Sequence, residues 1–404
     1  MTRLLAAYRR RRSDLLFWTI AFASFAITYV AYVKWFRLYY PDSRYYLAMT
    51  YLFLGNSPEE ARDLTIAYSA PRGIEIPGLD LLFGWGLVQP RVVLPALSTP
   101  FVGLFGPSGL AVVPLLATAL CLILMAVMIR RRFGTVPALT IVLLLNSSMF
   151  LVSFQTGMLT EGLSALFTVL ALIAAWQWLR QPRPWLLIAM GVATATSAFT
   201  RQATLIMAGA FVMAWLVDMI LHRRWRSAWL WPAVVVAGTT IVCQGLQTLI
   251  FPSFSQADQF VSQAGTGSVG EAILNAPTML FEIMKADVLA MMRNDRALLI
   301  LCCLAIGGMI LFWRRTEAHL LFGAMLATIV YNVTNGTPTA FRYATPGLVF
   351  WVLCAAMVIA ATAGWIRVSA RERSLGSVDA DPGIDDDPAL RSRRKNLSPT
   401  RSTD

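Results

Sequence analysis

The sequence predicts an all-α polytopic membrane protein with about ten transmembrane helices. Three observations carry this. Hydrophobic residues make up 57% of the 404 and charged residues only 14%, with a mean hydropathy of +0.60, which leaves too little polar surface for a soluble domain of this size. Apolar runs close to the ~20 residues needed to cross a bilayer recur along the chain. The basic residues sit in short clusters at the ends of these runs. The net charge of +12 therefore reports topology and membrane lipids, and nucleic acid is not an expected partner.

The elements follow in order. Arg9 to Arg12 close a basic stretch, 1–14, ahead of the run 15–36. That run is too long for a cleaved signal peptide and lacks a small-residue cleavage site, so it reads as a signal anchor with a cytoplasmic amino terminus. Residues 37–91 form a long outer loop holding Asp42, Glu59, Glu60, Asp63, Glu75 and Asp80, with enough Tyr and Leu for a folded loop carrying short interfacial helices. The stretch 92–105 is short and contains Pro95 and Pro100, so it reads as interfacial or re-entrant and extends the outer segment to 108. If it spanned, Arg130, Arg131 and Arg132, which follow the span 109–129, would lie outside, against the positive-inside bias.

Runs 135–154 and 162–179 then go out and back around the turn Gln155 to Glu161, with Arg180 and Arg183 inside. Residues 185–221 would make a helix of roughly 55 Å, too long for one span. The polar break Thr200-Arg201-Gln202 must be a turn, and turning there puts His222, Arg223, Arg224 and Arg226 inside. Residues 227–250 lead out to a second outer segment, 251–296, rich in Ser, Gln, Gly and Asp. Spans 297–313, 318–334 and 343–366 complete a bundle over 15–366. The tail 367–404 pairs an acidic run (Asp379, Asp381, Asp385 to Asp387) with a basic one and cannot bury a core, so a disordered cytoplasmic tail is expected.

Cys121, Cys243, Cys302, Cys303 and Cys354 fall in apolar runs without CxxC spacing, which indicates neither disulfides nor zinc. His222 and His319 lie at cytoplasmic ends, so proton transfer on the outer face falls to carboxylates. The topology gathers Asp42, Glu161, Arg91, Arg201 and Arg342 at that face, flanked by Arg44, Tyr45 and Tyr343. Ionisable groups at one bilayer boundary are costly and mark a candidate site. Arginines can stabilise the charge growing on a departing phosphate, and a carboxylate can take the proton of an attacking hydroxyl. Each residue also has a plainer reading. Asp42 suits a helix cap and Glu161 a first-turn acid. Arg201 could snorkel, Arg342 could anchor at the interface beside Tyr343, and Arg91 could neutralise Asp80 or Glu75.

At these residues the sequence resembles the GT-C class of polyprenyl-phosphate-sugar glycosyltransferases, which includes protein O-mannosyltransferases and aminoarabinose transferases. The matching stretches are Pro41-Asp42-Ser43-Arg44-Tyr45-Tyr46, Arg91-Val92-Val93-Leu94-Pro95, Thr160-Glu161-Gly162-Leu163, Thr200-Arg201-Gln202-Ala203-Thr204 and Phe341-Arg342-Tyr343-Ala344-Thr345-Pro346. The resemblance implies a GT-C-like fold, a polyprenyl-phosphate-linked sugar donor, inversion at the anomeric carbon, and Asp42 as general base. Glu161 is the second expected catalytic carboxylate, with Arg44, Tyr45, Arg91, Arg201, Arg342 and Tyr343 on the substrate. Ser43 stands where some members carry a second acid, so that acid would come from Glu161 or elsewhere in the first loop. Asp42 and Glu161 alone are a thin ligand set for a hard cation; no obligatory metal is expected, and use of a divalent cation is left open.

The expectation is a membrane glycosyltransferase working at the outer face of a bacterial plasma membrane with both termini cytoplasmic. The acceptor, whether protein, lipid or polysaccharide, stays open. The excess of arginine over Lys34, Lys285 and Lys395 is associated with GC-rich bacterial genomes. A transporter or lipid flippase, or a non-catalytic envelope-assembly partner, is the alternative.

Overall fold

The computed structural model describes residues 2–35, 37–251 and 255–378. All regular structure among them is helical. The first compact unit comprises Met1–Ile359 and the second Ala360–Asp404.

Helix α1 (Thr2–Trp35) enters the bundle, and the long loop after it folds into α2 (Ser43–Phe53), α3 (Pro58–Ser69) and α4 (Leu79–Gly84). Helix α3 opens with a capping box, in which the Ser57 hydroxyl accepts from Glu60 N and the Glu60 carboxylate accepts from Ser57 N. The folded loop with short helices is therefore present. Helix α5 (Val93–Phe105) follows, and the 3₁₀ turn Gly106–Ala111 folds back onto it before α6 (Val112–Phe133). Val93–Phe133 forms one long apolar helical stretch ending in Arg130–Arg132, within which α5 packs beside α2.

Helices α7 (Thr135–Ser147) and α8 (Met149–Thr156) are one apolar run bent by 75° at Ser148. Then come α9 (Glu161–Arg180), α10 (Pro184–Thr200), α11 (Thr204–His222) and α12 (Leu230–Ile250), with the expected turn at Arg201. The second outer segment forms α13 (Gln256–Ala264) and the long α14 (Val269–Asn294). Helices α15 (Arg296–Leu311), α16 (Thr316–Asn335) and α17 (Leu348–Val378) follow. Helix α17 continues past residue 366, where the tail was expected to begin; residues 379–404, which hold its acidic and basic runs, lie outside the described residues.

Six of the described helical stretches are long and apolar enough to cross a membrane, or seven with the bent α7–α8 pair. The expected total of about ten additionally counts the shorter apolar α10 and α15 and α16, whose twenty residues include Glu317 and His319. The pairs α9–α10, α10–α12, α11–α12, α11–α16 and α6–α9 pack along their lengths.

The bend at Ser148 has a specific tie. Asp295, 3% exposed at the start of α15, accepts from the Ser148 hydroxyl (2.7 Å), from Phe150 N (2.8 Å) and from its own helix at Leu298 N (3.0 Å). One carboxylate thus satisfies donors freed by the break and caps another helix. Asp295→Ala is expected to destabilise the fold by about 2–3 kcal/mol, since it orphans buried donors, with Asp295→Asn recovering part of this. Thermal unfolding of the purified variants checks it.

Candidate active site

The first loop delivers Asp42 by fixing its neighbour. Ser43 is fully buried, and its hydroxyl donates to Met158 O (2.8 Å) while accepting from Tyr40 N (3.0 Å). Met158 N in turn donates to Leu38 O (2.9 Å). The residue standing in the place of a second acid therefore clamps the loop beside the turn that leads to Glu161. Asp42 sits at the N-cap of α2 but makes no capping hydrogen bond; its carboxylate accepts from Arg342 Nη2 at 2.6 Å instead. The plain capping role is not what this side chain performs.

Glu161 opens α9, and α9 can start there because Gly162 lets it pass close to α8. A Cβ at Gly162 would lie 2.5 Å from both Gln155 O and Thr118 Oγ1. The Glu161 side chain has no exposed surface, and its Oε1 accepts from Arg201 Nη1 (2.8 Å) and from Arg342 Nε. Arg201 ends α10, is 1% exposed, and lies 5.3 Å from the Tyr343 ring centre. A snorkelling arginine would reach water; this one is enclosed between two helices and paired. Arg91 is also buried, donating from Nη1 to Tyr46 Oη (2.9 Å) and from Nε to Gln202 Oε1 (3.1 Å). It neither pairs with nor approaches Asp80 or Glu75 in any recorded contact.

Asp42, Arg91, Arg201, Arg342 and Tyr343 line one cavity of about 580 Å³, whose other walls include Trp85, α13 and residues 335–339. Three arginines meet Asp42 and Asp258 in the lining and Glu161 behind it, so the positive charge is local to the arginines and balanced over the site as a whole. Burial works against ionisation of Asp42, yet the Arg342 charge and hydrogen bond, helped by Arg91 and Arg201, hold its carboxyl below the usual range.

The structure places three of the expected site residues off the cavity lining. Glu161 lies behind Arg201 and Arg342, paired with both. Arg44 turns away to Glu75 O and the Tyr45 hydroxyl. Tyr45 packs against Trp85, ring centres 4.8 Å apart, and Trp85, not Tyr45, lines the cavity.

The sequence reading missed Gln202, which joins Arg91 to Leu87 O (3.0 Å), and the polar residues of α13. It also missed an apolar groove of about 380 Å³ beside the cavity, lined by Met284, Val288, Leu299, Ile306 and Trp351, with Tyr343 shared between the two. The helical spacing of polar residues from 255 to 263 was the available signal for α13.

Residues 92–244 match the family model of the dolichyl-phosphate-mannose-protein mannosyltransferases. The GT-C resemblance is borne out. That match covers Glu161 and Arg201 and leaves Asp42, Arg91 and Arg342 outside it. It supports a membrane glycosyltransferase of the GT-C class that draws on a polyprenyl-phosphate-linked sugar. No curated protein and no solved structure matches the chain.

Arg342 itself is aimed from α14. Asp287 accepts from Thr339 N (2.9 Å) and Ala340 N (2.7 Å), pinning a turn in which Ala340 and Phe341 hold φ of 50° and 74°, an uncommon conformation for non-glycine residues. Burial raises the Asp287 carboxyl above its ordinary value, with those backbone hydrogen bonds opposing. A folded pKa above the unfolded one means that ionised Asp287 costs stability as pH rises through the interval between them. Asp287→Asn keeps an acceptor without the charge, so at neutral pH it is expected to be at least as heat-stable as wild type, the gap closing as pH falls towards about 4. Asp287→Ala, which orphans two amides, is expected to lose about 1–3 kcal/mol. Unfolding temperatures measured across pH test this, and equal losses for Asn and Ala would refute it.

Proposed function

We propose that this protein transfers a sugar from a polyprenyl-phosphate donor to an acceptor hydroxyl at the outer face of a bacterial plasma membrane. The observation that carries the reading is Arg342, whose guanidinium bridges Asp42 and Glu161 at the edge of a cavity holding two further arginines. The family match over 92–244 supports the donor class. The positive-inside bias supports the face, because Arg180 and Arg183 lie at the opposite ends of α9 and α10 from Glu161 and Arg201.

A phosphodiester donor carries one negative charge, which the cluster of Arg91, Arg201 and Arg342 can meet. As the anomeric C–O bond breaks, its electron pair passes to the polyprenyl phosphate, whose second negative charge is met by Arg342, Arg201 and Arg91. The acceptor oxygen forms the new bond from the opposite side of the anomeric carbon, inverting it, and passes its proton to Asp42. Asp42 is the accessible carboxylate of the pair, 27% exposed where Glu161 has none. A phosphate that draws on Arg342 loosens the hold on Asp42 and makes it a better base as the donor binds. The apolar groove beside Tyr343 suits the polyprenyl chain.

The reading requires no metal. Asp42 and Glu161 are each engaged by Arg342, and the arginines can meet the charge of the departing phosphate. Transfer is therefore expected to survive a chelator, and loss that added Mg²⁺ or Mn²⁺ restores would overturn this part.

Asp42→Asn is expected to lower kcat by about 10²-fold or more, the usual range for a general base. Arg342→Lys keeps the charge but loses the fork that serves both carboxylates, so it should weaken binding of polyprenyl phosphate and slow transfer. Both are measured with dolichyl-phosphate mannose as donor; an Asp42→Asn protein that folds and transfers at the wild-type rate removes the base assignment. Because the Asp42 carboxyl is held low in the free enzyme, the acid limb of kcat/KM should fall below the ordinary carboxylate range, which centres near pH 4. A limb centred near neutrality would point to another base.

A further inference from the structure

One short helix, α13, with its cap Ser255, supplies a polar part of the cavity that holds the arginines. Ser255, Asp258, Gln259, Ser262 and Gln263 recur at the spacing of a single helical face and all line the cavity. The opposite side of α13 is apolar, with Phe260 buried against Ala272 and Val333, and Val261 and Ala264 packed around them. Burial of that side fixes which face α13 turns to the cavity. Two contacts fix its height. Gln259 Nε2 donates to Asn335 Oδ1 at 3.4 Å, and Gln263 lies over Gly336, where a Cβ would come within 2.5 Å of the Gln263 Cβ. The polar face therefore stands across the cavity from the arginines, in front of the turn that aims Arg342.

The chemistry of this wall is selective. Carboxamides and hydroxyls both donate and accept, as sugar hydroxyls do, so each can satisfy a hydroxyl whichever way its hydrogen points. Asp258 adds an acceptor-only group suited to a pair of hydroxyl donors, and it disfavours a phosphorylated or carboxylated ligand at this wall. Trp85 contributes an aromatic face to the same cavity, and the C–H face of a pyranose ring has the apolar, slightly positive surface that an aromatic face attracts. A peptide acceptor is typically held by a strand edge or by apolar pockets for its side chains, neither of which this wall supplies.

We propose that the polar face of α13, with Asn335 and Trp85, is an acceptor subsite for a neutral saccharide, so that the acceptor hydroxyl belongs to a glycan and not to a peptide or an anionic lipid. The proposal rests on the glycosyltransferase reading above. In that arrangement the arginines hold the phosphate, Asp42 faces the reacting hydroxyl, and α13 holds the rest of the acceptor ring. These residues position the acceptor and take no part in bond making.

The test uses the purified full-length protein with dolichyl-phosphate mannose labelled in the sugar, offered either reducing-end-tagged neutral mannose oligosaccharides or serine- and threonine-containing peptides. Release of dolichyl phosphate and appearance of label in the acceptor are both measured. Wild type is expected to transfer to the oligosaccharides. Gln263→Ala, Asp258→Ala and Trp85→Ala should each raise the acceptor KM by about tenfold, the equivalent of one lost hydrogen bond or stacking contact, while the donor KM stays at the wild-type value and, for Gln263→Ala and Asp258→Ala, so does the unfolding temperature. Trp85→Phe should restore most of the Trp85→Ala loss. Transfer to peptides in preference to oligosaccharides overturns the acceptor class while leaving the glycosyltransferase reading intact, as does a rise in donor KM that matches the rise in acceptor KM. If no dolichyl phosphate is released with either acceptor, and Arg342→Lys binds dolichyl phosphate as wild type does, the underlying reading fails and the subsite with it.

Discussion

A fully enclosed ion pair, Arg201 with Glu161, is the constraint on which the rest of this structure depends. Neither side chain has more than 1% of its surface exposed. Charges removed from water are tolerated only when paired and hydrogen-bonded, and stranding one of such a pair costs several kcal/mol. Arg342 extends the pair to Asp42, a contact that bridges 300 residues of sequence. The turn between α10 and α11, the start of α9, the first outer loop and the approach to α17 must therefore all meet at one depth. The supporting details serve that requirement: Ser43 on Met158, the missing side chain at Gly162, Gln202 on Arg91, and Asp287 beneath the Ala340–Phe341 turn.

Within the network, burial separates the two acids into different tasks. Glu161 Oε1 serves both arginines from behind the cavity, which holds their guanidinium planes in place and lowers the cost of keeping two like charges adjacent. Asp42 stands at the rim, engaged by Arg342 alone and partly open to the cavity. An acid that must exchange protons with a substrate has to be reachable, and an acid that only balances charge is better enclosed. The same residue type fills both roles, and depth decides which.

Depth is also what the sequence could not display. Its apolar runs and basic clusters were sufficient to locate Asp42, Arg201 and Arg342 at one end of the bundle and to recognise that Arg201 sits in a turn. They gave no reason to set Glu161 behind the arginines, because a helix start reads the same at the surface and in the interior. The bend at Ser148 was equally silent: a serine in an apolar run signals little, and the group that holds the bend is Asp295, 147 residues away. Arg44 and Tyr45 looked like site residues through adjacency to Asp42, yet neighbours at the start of a helix point in different directions. On α13 the pattern was present from Ser255 to Gln263, but its meaning depended on which cavity the face would border.

The network also bears on the choice between an enzyme and a transporter. Alternating access would require the site to open towards each side in turn, with one group of helices rocking against another. Here the helices that would have to separate are joined by Arg201 to Glu161 and by Arg342 to both acids. Pulling them apart without supplying new partners would strand buried charge, a cost that a transport cycle would meet at every turnover. A fixed catalytic site has no such step. On the proposed reading, substrates would reach the arginines through the apolar groove and the polar cavity that share Tyr343, and the reacting charge would change by one unit within a frame that stays in place. Preorganised charge of this kind stabilises a departing phosphate most effectively when it does not have to move, and that property weighs for the glycosyltransferase reading over the flippase.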